Sequence, residues 1–302
     1  MRCDGIFAAT DERLTAPTDF ANESPQLRPC LQVARKEQRM QSDVKYVKVL
    51  GERNSGTNYL SKLVRKNFDV NLLPGTQPNV QADLVEALAQ DLPKNLQHLA
   101  RLLLVDVSMR EIENRNLGWK HAFPDFELLE REKETASRTL FLVISKEPYS
   151  WLKSFHRRPY HSLFPARNMS LSDFIRHPWI ATRKEILSPA VVPNMVALWN
   201  AKHQGWLSLT ERGYQTVFVP YSDLLSNFSA QMEAIGAIIP PRKAGAYENI
   251  EDSTKKDGRS SSDFVKQYSK GNDYSAFTPE DIVFVNESID KDVVAKLGYT
   301  LP

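Results

Sequence analysis

Residues 44–68 read VKYVKVLGERNSGTNYLSKLVRKNF, a β-branched run, then a turn with two glycines, then an amphipathic segment. Val47, Val49 and Leu50 have the composition of a short strand, while Leu60, Leu63, Val64 and Phe68 recur at helical spacing with Lys62, Arg65 and Lys66 on the opposite side. The turn therefore sits at a helix N-terminus. Amides there have no intrahelical acceptor and carry the positive end of the helix dipole, so several donors converge on any phosphate or sulfate placed before them. Gly51 and Gly56 let the backbone curl and approach such an anion closely.

The remaining composition narrows the setting. At 302 residues and 41% hydrophobic content the chain has material for one large α/β domain or two small ones, with a buried core. A formal net charge of +2 is too small for a general nucleic-acid or membrane-surface binder, so no nucleic-acid partner is expected and a basic site must be local. No run of about 18 apolar residues exists, and acidic residues interrupt the first twenty positions where a signal peptide would be apolar. Only Cys3 and Cys30 occur, both before the first strand, which fits a reducing, cytoplasmic setting. Residues 1–42, polar with scattered apolar positions, are expected to be a flexible tail, leaving 43–302 as the domain.

A second anion-binding pattern follows in TLFLVISKEPYSWLKSFHRRPYH at 139–161. The apolar run 140–144 suits a strand covered on both faces, and Pro148 opens a helix in which Trp151, Leu152 and Phe155 form one stripe. Lys146 leaves the C-terminal end of that strand and Ser154 lies eight positions later, so the two converge on one anion at the sheet edge. With both patterns in order, the chain resembles the PAPS-dependent sulfotransferases, which share the P-loop architecture and use 3′-phosphoadenylyl sulfate (PAPS) as donor. The resemblance covers roughly residues 44–300 with gaps. It implies a three-layer P-loop-like α/β domain, a central parallel sheet flanked by helices, and sulfuryl transfer from PAPS to a hydroxyl or amine without a metal ion. Arg53, Asn54, Ser55, Gly56, Thr57 and Asn58 then correspond to the 5′-phosphosulfate loop, and Lys146 with Ser154 to the 3′-phosphate site, to which Arg259 of the basic run 255–259 is a further candidate.

Three departures from the family pattern matter. Thr57 stands where a nucleotide-triphosphate P-loop has lysine, which argues against ATP as ligand. Asn54 replaces the family lysine before Ser-Gly-Thr, so the missing charge must come from elsewhere. Arg53 is the favoured source and Lys120 the alternative. Lys146 replaces the usual arginine and offers a point charge instead of a fork. His121, in GWKHAFP at 118–124, is the candidate base for the acceptor hydroxyl; it follows Lys120 directly, whereas the family spaces the two, and His156 and His161 are its competitors.

Residues 72–116 form an insertion expected to bind the acceptor, a carbohydrate or small molecule with a hydroxyl. Pro220-Tyr221-Ser222-Asp223-Leu224 resembles the family's late strand-to-helix segment, and residues 290–299 its closing helix and turn. Trp199 and Trp206, seven apart on the long helix expected within 193–211, read as core residues rather than ligand platforms. Two other functions stay open on sequence: a P-loop kinase or nucleotide hydrolase, and a catalytically inactive binding module, for which the Asn54 and Lys120-His121 departures are the expected signs.

Overall fold

Four parallel strands in the order β2-β1-β3-β6 carry the architecture: β1 (Tyr46–Leu50), β2 (Asn71–Leu72), β3 (Thr139–Ser145) and β6 (Thr216–Pro220). The computed structural model describes residues 44–76, 90–93, 96–97, 116–159, 169–243, 246–250, 263, 265–266 and 273–302, all within one unit, Asp43–Pro302. The expected tail, most of the 72–116 insertion, His161 and Arg259 lie outside these residues.

β1 passes through α1 (Thr57–Asn67) to β2 on one side, and its other neighbour is β3. The chain thus reverses its direction of travel across the sheet between β1 and β3, and the crevice beyond their C-terminal ends is where open α/β sheets bind ligands. Register fixes that edge, since Leu50 pairs with Val143 and Ser145 with Pro220. The segments starting at Gly51, Lys146 and Tyr221 therefore all leave the sheet on one side.

Side-chain alternation builds two cores on the sheet's faces. Val47, Val49, Leu140, Leu142, Ile144 and Val219 face α1, α7 (Tyr221–Ser226) and α8 (Phe228–Gly236), meeting Leu60, Leu63, Val64, Leu224, Met232 and Ile235. Leu50, Phe141 and Val143 point the other way, onto Trp206 and Leu209 of α6 (Met195–Glu211). Every residue of β3 is buried, as its unbroken apolar run requires, and each large aliphatic side chain so buried contributes about 1.5–3 kcal/mol. Helices on both faces make the three layers.

α2 (Phe126–Arg131) and α3 (Lys133–Ser137) precede β3, and α4 (Pro148–Arg157) follows it with Pro148 at its first turn. A third core joins α4 and α6 to α5 (Leu171–Arg176), the antiparallel pair β4 (Trp179–Ile180) and β5 (Val191–Val192), α9 (Pro279–Ser288) and α10 (Lys291–Lys296). β6 runs straight into α7, which starts at Tyr221.

Lys48 sits mid-β1 with no exposed surface. Its ammonium donates to the carbonyls of Pro74 (2.8 Å), Asn116 (2.6 Å) and Gly118. A buried ammonium needs such acceptors, and here they draw together the backbone before and after residues 77–115. Pro74 and the 116–118 backbone, which flank most of the expected insertion, are therefore held at one place beside β1.

Candidate functional site

The loop from Gly51 to Gly56 takes a path that ordinary residues resist. Gly51 and Gly56 have φ of 154° and 104°, and a β-carbon would fall 2.4 Å from the Ile144 carbonyl oxygen at the first and 2.7 Å from the Tyr221 ring at the second. Asn54 is left-handed at φ 64°, a conformation asparagine tolerates better than lysine, which gives a local reason for asparagine here. Ser55 turns inward, its hydroxyl and amide both donating to the Glu52 carbonyl at 2.6 and 3.1 Å. The amides of Gly56, Thr57 and Asn58 donate to no acceptor among the described residues, at the N-terminus of the eleven-residue α1.

These groups face a cavity of about 520 Å³ lined by Arg53, Asn54, Gly56, Thr57 and Asn58 from the loop, Thr76, Trp119, Lys120 and His121, and by Arg158 and Lys184. Among the described residues its ionisable lining is cationic or imidazole, with no carboxylate. Arg53 touches it, but the guanidinium is already engaged: Nη1 lies 2.7 Å from Glu185 and 3.3 Å from Glu52, between the rings of Trp119 and Trp179 at 4.8 and 5.2 Å from their centroids. Burial opposes its charge, and the two carboxylates outweigh burial and keep it protonated. Lys120 presents the other cation, its Nζ donating to Asn58 Oδ1 at 2.6 Å, with burial lowering its pKa.

His121 is tied to the same loop. Its Nδ1 meets the Gly51 carbonyl, so Nδ1 carries the proton of the neutral ring and Nε2 keeps its lone pair; Gly51 N in turn donates to the Lys120 carbonyl at 2.9 Å. Burial, then the charges of Lys120 and Arg53, hold the imidazole well below its ordinary 6.5, despite the Gly51 bond. It is neutral near pH 7. His156 is engaged elsewhere, its Nε2 2.8 Å from the Met169 carbonyl and its ring against Phe174.

Lys146 and Ser154 meet as their spacing predicts, Nζ donating to Oγ at 2.7 Å. Both are nearly sealed, and neither lines the 520 Å³ cavity. The Tyr221 ring stands between the two places, its carbons against Gly56 and its centroid 5.1 Å from Lys146 Nζ.

Core side chains hold the site backbone in place. Trp151 Nε1 donates to the Arg53 carbonyl (2.8 Å), Trp199 Nε1 to that of Lys146 (3.1 Å), Trp206 Nε1 to that of Ala122 (3.0 Å), and the Lys202 ammonium to that of His121. Residues 199, 202 and 206 share one face of α6, so that helix clamps both the lysine-bearing strand end and the histidine loop. Trp199 and Trp206 are core residues with a polar task added. Glu185 completes the frame: Oε1 takes Arg53, Oε2 takes the Thr182 amide at 2.8 Å and the Trp179 indole at 3.2 Å, and Lys202 lies 3.7 Å away.

Sequence reasoning passed over Glu185, Lys202, Arg158 and Lys184. A single acid 132 residues from Arg53 leaves no local pattern, whereas a lysine within an apolar helix stripe, as at 202, does signal a buried partner. Among the described residues no group of three or more His, Cys, Asp or Glu side chains could hold a metal, and no helix is long and apolar enough to cross a membrane. No model of a known protein family matches the chain, and no curated protein matches its sequence.

Proposed function

We propose that the protein transfers a sulfuryl group from PAPS to a hydroxyl-bearing acceptor. The observation that carries this reading is the three-amide cradle of Gly56, Thr57 and Asn58, built without a P-loop lysine, beside a second cation–hydroxyl pair, Lys146 and Ser154, at the end of the neighbouring strand. A donor with a 5′-phosphosulfate and a separate 3′-phosphate needs two such places; a nucleoside triphosphate needs one, with lysine and a magnesium ligand.

In this reading the cradle and the Thr57 hydroxyl hold the 5′ group, and Lys120 offsets the charge that builds on the bridging oxygen as its bond to sulfur breaks. Arg53, already neutralised by Glu185 and Glu52, acts by shaping the loop. His121 Nε2 accepts the acceptor's proton as the new sulfur–oxygen bond forms, leaving adenosine 3′,5′-bisphosphate and the sulfated acceptor. A depressed pKa makes a weak base, but an incoming anion favours imidazolium and raises it toward working pH. Lys146 and Ser154 serve the 3′-phosphate, with Arg259 assigned there on sequence alone. Arg53's pairing also favours a second reading, a nucleotide-binding module without turnover.

Calorimetry with adenosine 3′,5′-bisphosphate against ATP with magnesium tests the donor assignment. The bisphosphate is expected to bind at least about tenfold more tightly, a difference of about 1.4 kcal/mol. Tighter binding of ATP overturns the reading in favour of a kinase or hydrolase.

A further inference from the structure

Asn54 carries two local costs at once. Its backbone is left-handed at φ 64°, a conformation that a residue with a β-carbon resists, and its side-chain Oδ1 is buried with no hydrogen-bond partner among the described residues. Glycine would follow the same backbone path without either cost. Outliers of this kind persist where the surrounding structure over-determines them, and they point to a task at that position. The side chain of Asn54 makes one bond: Nδ2 donates to the Arg158 carbonyl at 3.2 Å, at the C-terminal cap of α4. The preceding residue reaches the same helix, because the Arg53 carbonyl accepts from Trp151 Nε1 at 2.8 Å.

Trp151, Ser154 and Arg158 stand at i, i+3 and i+7, on one face of α4 and its cap. The loop holds that face at two points, which lie roughly 10 Å apart along a helix axis at 1.5 Å per residue. Ser154 lies between them, its hydroxyl taking the Lys146 ammonium at 2.7 Å. Two consecutive residues of the 5′ loop thus fix where the Lys146–Ser154 pair sits. Resting on the sulfotransferase reading, we propose that Asn54 is a positioning residue that sets the span between the Gly56–Asn58 cradle and the Lys146–Ser154 pair, and so selects a nucleotide whose second phosphate is on the 3′ carbon. A fixed span favours the ligand that matches it, because no ordering has to accompany binding, while an isomer with its phosphate one carbon away must either strain or give up one of the two places.

The test is calorimetry on the full chain with two isomers, adenosine 3′,5′-bisphosphate and adenosine 2′,5′-bisphosphate. They have the same atoms and the same charge, so the ratio of their affinities cancels general electrostatics. Wild type is expected to bind the 3′,5′ isomer about tenfold or more tightly than the 2′,5′ isomer. Asn54→Gly keeps the left-handed backbone and drops the amide, and it should bring the ratio to within about threefold, chiefly by weakening the 3′,5′ isomer. Trp151→Phe removes the other bond to α4 while leaving a ring in place, and it should move the ratio in the same direction. A merely structural role for Asn54 would lower both affinities together and leave the ratio where it was. A ratio unchanged in Asn54→Gly therefore overturns the proposal and leaves the donor reading standing, and so does a wild-type protein that binds both isomers equally. If neither isomer binds wild type, the donor reading itself fails and the proposal falls with it.

Discussion

Glu185→Gln removes one charge and almost no volume, and its consequences follow from the buried frame around Arg53. At 2.7 Å and an effective dielectric of about 20, the Arg53–Glu185 attraction is on the order of 6 kcal/mol, and Lys202 at 3.7 Å adds to it. Relaxation and water entry recover part and Glu52 stays 3.3 Å from the guanidinium, so loss of the nearer carboxylate costs about 3–5 kcal/mol. For a domain of this size each kcal/mol moves the melting temperature by about 2–4 °C, which predicts a fall of roughly 6–20 °C at pH 7 by calorimetry or circular dichroism. The pH dependence has a fixed sign. Burial opposes ionisation of Glu185, but Arg53 and Lys202 hold its pKa far below the ordinary 4.5, so its stabilisation is complete above that value and is lost as pH falls through the folded-state pKa. The gap between wild type and Glu185→Gln should therefore narrow below about pH 4.5. Arg53→Met with Glu185→Met, which removes both charges, should melt closer to wild type than the single variant. A Glu185→Gln protein melting within about 2 °C of wild type at pH 7 would refute the reasoning, because Arg53 would then not depend on Glu185 for its buried charge.

Lys120→Ala should reduce turnover about 100-fold or more with a smaller loss of bisphosphate affinity, since its charge is needed most as the sulfuryl group leaves; comparable losses in both would make it a ground-state binding residue. Lys146→Ala and Ser154→Ala should each weaken adenosine 3′,5′-bisphosphate while sparing adenosine 5′-monophosphate, and the double variant should lose less than the two single losses combined; strict additivity would mean that they do not share one phosphate. The His121 resonance, followed by NMR, should titrate well below 6.5 in free protein and move upward with bisphosphate bound; an unmoved titration would place the anion away from this ring. His203, stacked on Trp199 at 4.0 Å, is held by burial at about 3, so folding stability should be full above pH 6.5 and decline as pH falls toward 3. His203→Phe, which cannot protonate, should flatten that decline, and an unchanged slope would assign it to other groups.

Local pattern carried the parts of the fold that depend on neighbours in sequence. The alternation in β1, the unbroken apolar run of β3 and the helical spacing after Thr57 each specify an element, and the eight-residue interval from Lys146 to Ser154 returns as a 2.7 Å contact because a strand end and the first two turns of a helix fix it. Direction out of a turn is not local. Arg53 was assigned to the anion on its charge and reach, but its guanidinium lies between two tryptophans and against Glu185, a residue supplied by a 3₁₀ turn whose place depends on the β4–β5 pair. Arg158 and Lys184 share that limitation: each is an ordinary surface cation in sequence, and only the tertiary fold brings both to the cavity of His121.

The central claim is that one nucleotide spans the Gly56–Asn58 cradle and the Lys146–Ser154 pair. A crystal structure with adenosine 3′,5′-bisphosphate tests it most directly. The account predicts the 5′-phosphate within about 3 Å of the Gly56, Thr57 and Asn58 amides and the 3′-phosphate on Lys146 Nζ and Ser154 Oγ, with Tyr221 between them. A bisphosphate whose 3′-phosphate lies elsewhere, with the Lys146–Ser154 bond intact, would contradict it.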